Sequence, residues 1–180
     1  MSIVRSWLLV FTVCLGLAVL VAPAAAQTIY FDPSVSYPND FVFTVDIAID
    51  CQSLAVKGIE TVIAFDPFLL QLDAVVPGPW FTGTGQGHFF FDYSGIEPQG
   101  TIHFASSILD GTNDQDTILA TCHFTALGYG STPLIFQDVD VRDGANVPLG
   151  FGHSTGDYIY IDPAIKQADV TFGTLKATYR

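Results

Sequence analysis

The side chains with chemistry to offer in this sequence are four histidines (His88, His103, His123 and His153), a serine pair (Ser106, Ser107), three cysteines and a large excess of aspartate. None falls into a catalytic spacing. Zinc sites use His-x-x-x-His or paired cysteines, and no histidine here has such a neighbour, so the four read as surface residues of strands. Neither serine occupies a Gly-x-Ser-x-Gly turn, the strained corner that exposes a hydrolase nucleophile. Glycoside hydrolysis needs two facing carboxyl groups, and the spacing of the sixteen aspartates singles out no pair. The reading is a non-enzyme.

Two loops gather hard oxygen ligands: Asp110, Asn113, Asp114 and Asp116 in one, and Asp138, Asp140 and Asp143 in the other. Neither follows the Asp-x-Asp-x-Asp-Gly order of an EF-hand, so solvated turns are the simpler reading, with calcium at the first loop as the alternative and no cofactor required. Aromatic residues crowd around the Gly/Thr-rich stretch 82–87. Trp80, beside Pro79, and Phe81 are the candidates for an exposed platform that stacks on a sugar, but packing in the core is the favoured reading. Cys51 and Cys122 both fall in the inward phase of alternating segments. A Cys51–Cys122 disulfide is the expectation, worth about 4 kcal/mol on the chain-entropy model.

The elements that must position these residues are β-strands. Short alternating segments separated by Gly, Pro, Asn and Asp predict strands at Thr28–Phe31, Phe41–Asp50, Lys57–Phe65, Gln71–Val76, His88–Tyr93, Thr101–Ser107, Thr117–Ala126, Pro133–Val141 and Asp157–Ile161. Pro67 interrupts the third strand, and Phe68-Leu69-Leu70 reads as a helical turn or an irregular apolar plug. Aspartate outnumbers glutamate sixteen to two, a bias toward turns and strand ends rather than helical surfaces.

Residues 1–26 read as a signal peptide. Arg5 precedes an apolar run from Trp7 to Val21, and Ala24-Ala25-Ala26 supplies a cleavage site, so a Sec-type leader is expected to deliver a chain starting at Gln27 outside the bacterial cytoplasm. The run is short for a retained membrane span, and Cys14 lacks the small residues that precede a lipoprotein cysteine. All 18 acidic residues lie beyond the leader and Arg5 within it, so cleavage makes the chain one unit more negative than its overall −12. That charge excludes nucleic acid as a partner, because phosphate binding uses clustered Lys and Arg. One domain over residues 27–162 is followed by a tail, 163–180, carrying Lys166, Lys176 and Arg180.

Phe65-Asp66-Pro67-Phe68-Leu69-Leu70, coming after Lys57-Gly58-Ile59, resembles the cohesin modules of bacterial extracellular assemblies. Phe43-Thr44-Val45-Asp46-Ile47, Gly100 to Ala105, Leu119 to Ala126, Val139 to Gly144 and Tyr158 to Ile161 look like cohesin strands in the same order. The resemblance covers about Thr28 to Asp162. It implies an all-β, nine-stranded jelly-roll β-sandwich of cohesin type, secreted or at the cell surface, that attaches a dockerin-like protein in a polysaccharide-handling or surface assembly. The alternative is a carbohydrate-binding module of the same superfamily, with polysaccharide as ligand.

The binding face implied by the resemblance lies on the strands at Lys57–Phe65, His88–Tyr93, Thr101–Ser107 and Pro133–Val141. With Ile102 and Phe104 inward, Thr101, His103 and Ala105 face outward, and Glu60, Val62, Phe90 and Asp92 are expected to join them. The ending Thr171 to Arg180 resembles short endings of other secreted bacterial proteins. A sorting or docking tag is one reading of it, a disordered end the other.

Overall fold

Most alternate side chains of the long strands are apolar, and that half leaves water only when a second sheet covers it. The computed structural model describes residues 27–33, 35–36, 41–155 and 157–161; the leader with Cys14, and the tail after Ile161, lie outside the described residues. The strands are β1 (Thr28–Asp32), β2 (Val35–Ser36), β3 (Val42–Asp50), β4 (Val56–Ala64), β5 (Leu70–Pro77), β6 (His88–Asp92), β7 (Thr101–Ile108), β8 (Thr117–Ala126), β9 (Gly130–Asp143), β10 (Pro148–Leu149), β11 (Gly152–His153) and β12 (Asp157–Ile161). One helical turn, α1 (Pro79–Thr82), precedes β6, and a 3-10 turn (Ser94–Ile96) joins β6 to β7. The described residues thus hold twelve strands where alternation suggested nine. The three additions are two-residue pairings, too short to carry an alternating pattern.

The five-stranded sheet runs β11-β1-β3-β8-β5, and the larger sheet runs β2-β12-β9-β4-β7-β6 with β10 beside β9. Pairing is antiparallel except for β1 with β11 and β2 with β12. Between the sheets lies one apolar core. Phe31 of β1 stacks on Phe136 of β9 at 4.5 Å between ring centroids, tying one sheet to the other. Phe124 collects Phe43 and Phe65 around it.

Pro67 does start a tight turn: the Asp66 carboxylate accepts the Phe68 N–H, and the Leu70 N–H returns to the Asp66 carbonyl at 3.0 Å. Leu70 is buried there, whereas Phe68 points into solvent. After that turn, Gly100 is needed for a close approach. Its φ is +88°, and an added Cβ would sit 2.6 Å from the Phe65 carbonyl oxygen. This contact lets the Gly100 carbonyl accept the Phe65 N–H and closes the end of β4 against the start of β7.

A bulge interrupts the alternation at the start of β8. Ile47 opposes Ala120 and Ala48 opposes Ile118, which leaves Leu119 as the extra residue. Leu119 and Ala120 are therefore both buried while Ile118 is only half-buried.

The two cysteines point inward as expected, but they are free thiols and the disulfide is not formed. Cys122 lies beside Val45, whereas Cys51 follows the far end of β3. Six residues along a strand are about 20 Å, and a disulfide needs Cα atoms within about 7 Å. Face and depth agreed; position along the strand did not. Burial pushes the Cys51 thiol up to about 12, with the Trp80 N–H working the other way, and burial raises the Cys122 thiol as well. Among the described residues no helix is long and apolar enough to cross a membrane.

Candidate functional site

The outer face of the larger sheet can be read off its register as rows crossing β6, β7, β4 and β9. One row is Phe91, Ala105, Glu60, Asp140; the next toward the start of β4 is Phe89, Ser107, Gly58, Arg142. On the other side, His103 of β7 stands beside Val62 of β4, which stands beside Asp138 of β9. Side chains inward of these, Ile59, Ile63, Ile102 and Phe104, are buried and fix the phase.

The face is bounded by aromatic rings. Along the edge strand β6, Phe89 and Phe91 are 40% and 52% exposed with ring centroids 5.4 Å apart, and Tyr93 continues the row at 6.1 Å from Phe91. On β12, Tyr158 and Tyr160 stack at 5.8 Å, and Ile135 of β9 is exposed near them. A soluble surface has little reason to expose neighbouring phenylalanines on an edge strand unless something covers them.

A polar clamp crosses the middle. His103 Nδ1 lies 2.8 Å from Glu97 Oε1, and His103 Nε2 lies 3.0 Å from Glu60 Oε1. A neutral imidazole has one donor and one acceptor, and both nitrogens here face carboxylate oxygens, an arrangement that favours the imidazolium, in which both donate. Burial opposes that charge; the hydrogen bonds and charges of Glu97 and Glu60 outweigh it, and the His103 pKa is raised. The clamp joins β7, β4 and the β6–β7 connection. Ser94 secures that connection further, its N–H on Asp92 and its hydroxyl accepting the His103 N–H.

Of the residues expected on this face, Glu60, Val62, Thr101, His103 and Ala105 are on it. Phe90 and Asp92 are not. Phe90 stacks on buried Phe104 at 5.3 Å, and Asp92 shares its phase, reaching solvent only because the strand ends there. The outward residues of β6 are Phe89 and Phe91, which the run Phe89-Phe90-Phe91 could not reveal because it does not alternate. Glu97 was also missed. The one signal for it is composition: the only two glutamates of the chain, Glu60 and Glu97, converge on a single histidine.

The sugar platform is overturned as placed. Trp80 and Phe81 are wholly buried, because Pro79 starts a helical turn that folds both rings beneath the sheets, where they meet edge-to-face at 4.7 Å. The acidic loop serves the fold. Asn113 is buried, exchanges backbone hydrogen bonds with Val56 and donates from Nδ2 to the Trp80 carbonyl at 2.8 Å; Asp116 accepts the Cys51 N–H at 2.7 Å. Asp110 and Asp114 remain exposed on that loop. Among the described residues no three His, Cys, Asp or Glu side chains converge as a metal site. An open groove of about 610 Å³ lies between β5 and the β6–β7 connection, and its acidic groups are engaged: Asp73 with Gln71 and Thr125, Glu97 with His103.

Two packed sheets, an apolar core and one aromatic-edged outer face define a β-sandwich of the jelly-roll kind. No protein-family model and no curated protein matches the sequence. Solved structures do. The cohesin CaCohA2 of Clostridium acetobutylicum, solved in complex with CaDoc0917, aligns with a TM-score of 0.64 at 18% identity over 76% of this chain and 99% of that one. The non-cellulosomal cohesin of the hyperthermophilic archaeon Archaeoglobus fulgidus aligns at 0.64 with 16% identity, over 82% of this chain and 99% of that one. The OlpA cohesin of Clostridium thermocellum, solved in complex with Doc918, aligns at 0.58 with 13% identity, over 76% and 99%. The chain has the cohesin fold.

Proposed function

We propose that this protein is a secreted, non-catalytic attachment module that grips another extracellular protein with the outer face of its larger sheet. The observation that carries this reading is the exposed Phe89–Phe91 row beside a face of mixed apolar and polar side chains, the composition of a protein-binding patch. The cohesin fold supports it, since several structures of that fold were solved with dockerins bound, and a dockerin-like protein is the partner class this suggests. Delivery by the leader and a role in polysaccharide handling or at the cell surface belong to the same proposal.

The test uses immobilised protein and a Val62→Glu/Phe91→Asp variant, each exposed to secreted proteins of the producing organism and, separately, to insoluble polysaccharides. The expected result is one or more proteins retained by the parent and lost from the variant. Retention on polysaccharide by both forms, with no protein distinguishing them, would replace this reading with the carbohydrate-binding one.

A further inference from the structure

Gly58 has no structural reason to be glycine. Its φ is not in the left-handed region, and an added Cβ would meet nothing nearer than the Ser106 carbonyl oxygen at 3.8 Å and Ser107 Oγ at 3.9 Å, both ordinary contacts. A glycine inside a strand weakens it; the bulge between Val56 and Gly58 is not the kind that needs a left-handed glycine, and with no turn or crowding to demand one, close approach by another molecule is a reason to keep it. Its place in the register shows where that approach falls. Gly58, Ser107 and Ala105 are small neighbours on β4 and β7, so they floor a shallow trough. Phe89 and Phe91 wall the trough on β6, and Glu60 and the Asp140–Arg142 pair stand on its far side.

The walls differ in chemistry. Phe91 and Glu60 are two strands apart, about 10 Å, a distance that a long aliphatic stem with a charged tip spans when the backbone bearing it rests above the trough. Glu60 gives Oε1 to His103, and its Oε2 has no hydrogen-bond partner among the described residues. Asp138, exposed one row further on, carries no ion pair among the described residues, while the basic Arg142 is occupied by Asp140 at 2.7 Å. Lys57 stands at the bulge next to Gly58, at the near end of the trough. With His103 protonated, the charges of this side are Lys57, His103 and Arg142 against Glu60, Glu97, Asp138 and Asp140, a balance that stays negative on a chain of net charge −12. A second copy of the same chain would bring like charge to it; a basic side chain complements it.

We propose that the trough over Gly58, Ser107 and Ala105 is the seat for a lysine or arginine of the partner protein, its stem against Phe89 and Phe91 and its charge at Glu60. Both parts of such a side chain find a match: the stem covers apolar surface and the tip meets a carboxylate, with the rings adding cation–π attraction. This inference rests on the attachment reading. It names the chemistry of the group recognised and makes Gly58 a specificity-determining residue.

The test titrates isotope-labelled protein with an amphipathic Leu/Lys helical peptide and, in parallel, with its Leu/Glu counterpart, reading amide shifts by NMR. Proteins retained in the pull-down are then measured by calorimetry. With the Leu/Lys peptide, shifts centred on Gly58, Ala105 and Phe91 are expected, and the Leu/Glu peptide is expected to give none there. Gly58→Thr, which suits a strand, is expected to leave the melting temperature unchanged or raised while abolishing these shifts. Glu60→Gln is expected to weaken the retained protein's binding about tenfold. Shifts that persist in Gly58→Thr, or that spread over both sheets, would overturn the seat. If a retained protein still needs Val62 and Phe91 yet ignores Gly58→Thr and Glu60→Gln, this inference alone fails; if no retained protein needs the face, the attachment reading fails with it.

Discussion

Replacing His103 by glutamine dismantles the clamp at its centre, and its cost should depend on pH in one direction only. His103 is mostly shielded from water and Glu97 partly so, which puts the His103–Glu97 bond near the lower end of hydrogen bonds to charged groups, about 1.5 kcal/mol. The Glu60 carboxylate is half exposed, so solvent screening reduces its bond to about 0.5 kcal/mol. Together they come to about 2 kcal/mol, or about 6–8 °C in Tm for a domain of this size. Because the folded-state pKa of His103 is raised, this stability is fully present below the unfolded-state value of about 6.5 and is lost as pH rises through the folded-state value. Thermal unfolding of wild type and His103→Gln at intervals from pH 5.5 to about 9.5 isolates the effect, since the other histidines are common to both and cancel in the difference. The gap in Tm should be widest in acid and close toward alkaline pH. Glu97→Gln should reproduce most of it, and the double variant should lose little more than His103→Gln alone. A gap that is constant across pH, or that widens as pH rises, would refute the imidazolium assignment.

Three further outcomes follow from the packing. Trp80→Ala should cost about 3–5 kcal/mol in urea unfolding, whereas Phe91→Ala, at an exposed position, should change stability by less than about 0.5 kcal/mol; a reversed order would put the wrong ring in the core. Cys51 and Cys122 should both resist a thiol reagent in the native protein and both react in denaturant, with the intact mass showing no disulfide; a mass two hydrogens short would contradict the separation along β3. Asn113→Ala should cost about 2 kcal/mol by leaving the Trp80 carbonyl unpaired in the core, and a variant as stable as the parent would remove that loop's structural role.

The strands were legible because alternation needs only residue type. Val45, Ile47 and Ile49 announce β3, and Ile102 and Phe104 announce β7, without knowledge of any partner. Phase failed where alternation is silent: three consecutive phenylalanines hid which of them faces out, and the Leu119 bulge broke the alternation at the start of β8, burying Leu119 in place of Ile118. Position along a strand was also invisible, so two inward cysteines looked like a pair although the register sets them far apart. Trp80 stayed open to two readings, with the core the favoured one, because Pro79 signals both a loop and the first residue of a helical turn, and only the fold shows the turn tucking inward. The clamp brings together residues 6 and 43 apart in sequence, and no local pattern encodes such a meeting. Gly58 could be seen as a glycine in a strand, but that its space stays open emerged only with its neighbours in place.

The measurement that bears most directly on the attachment face is photo-crosslinking from two positions of the same protein. A benzophenone side chain replaces Val62 on the outer face of the larger sheet or Thr44 on the outer face of the smaller one, and each form is irradiated among the producer's secreted proteins. Crosslinks from position 62 to a recurring protein, suppressed by excess unlabelled protein and absent from position 44, are the expected result. Crosslinks recurring from position 44 alone would show that the molecule grips its partner with the opposite sheet.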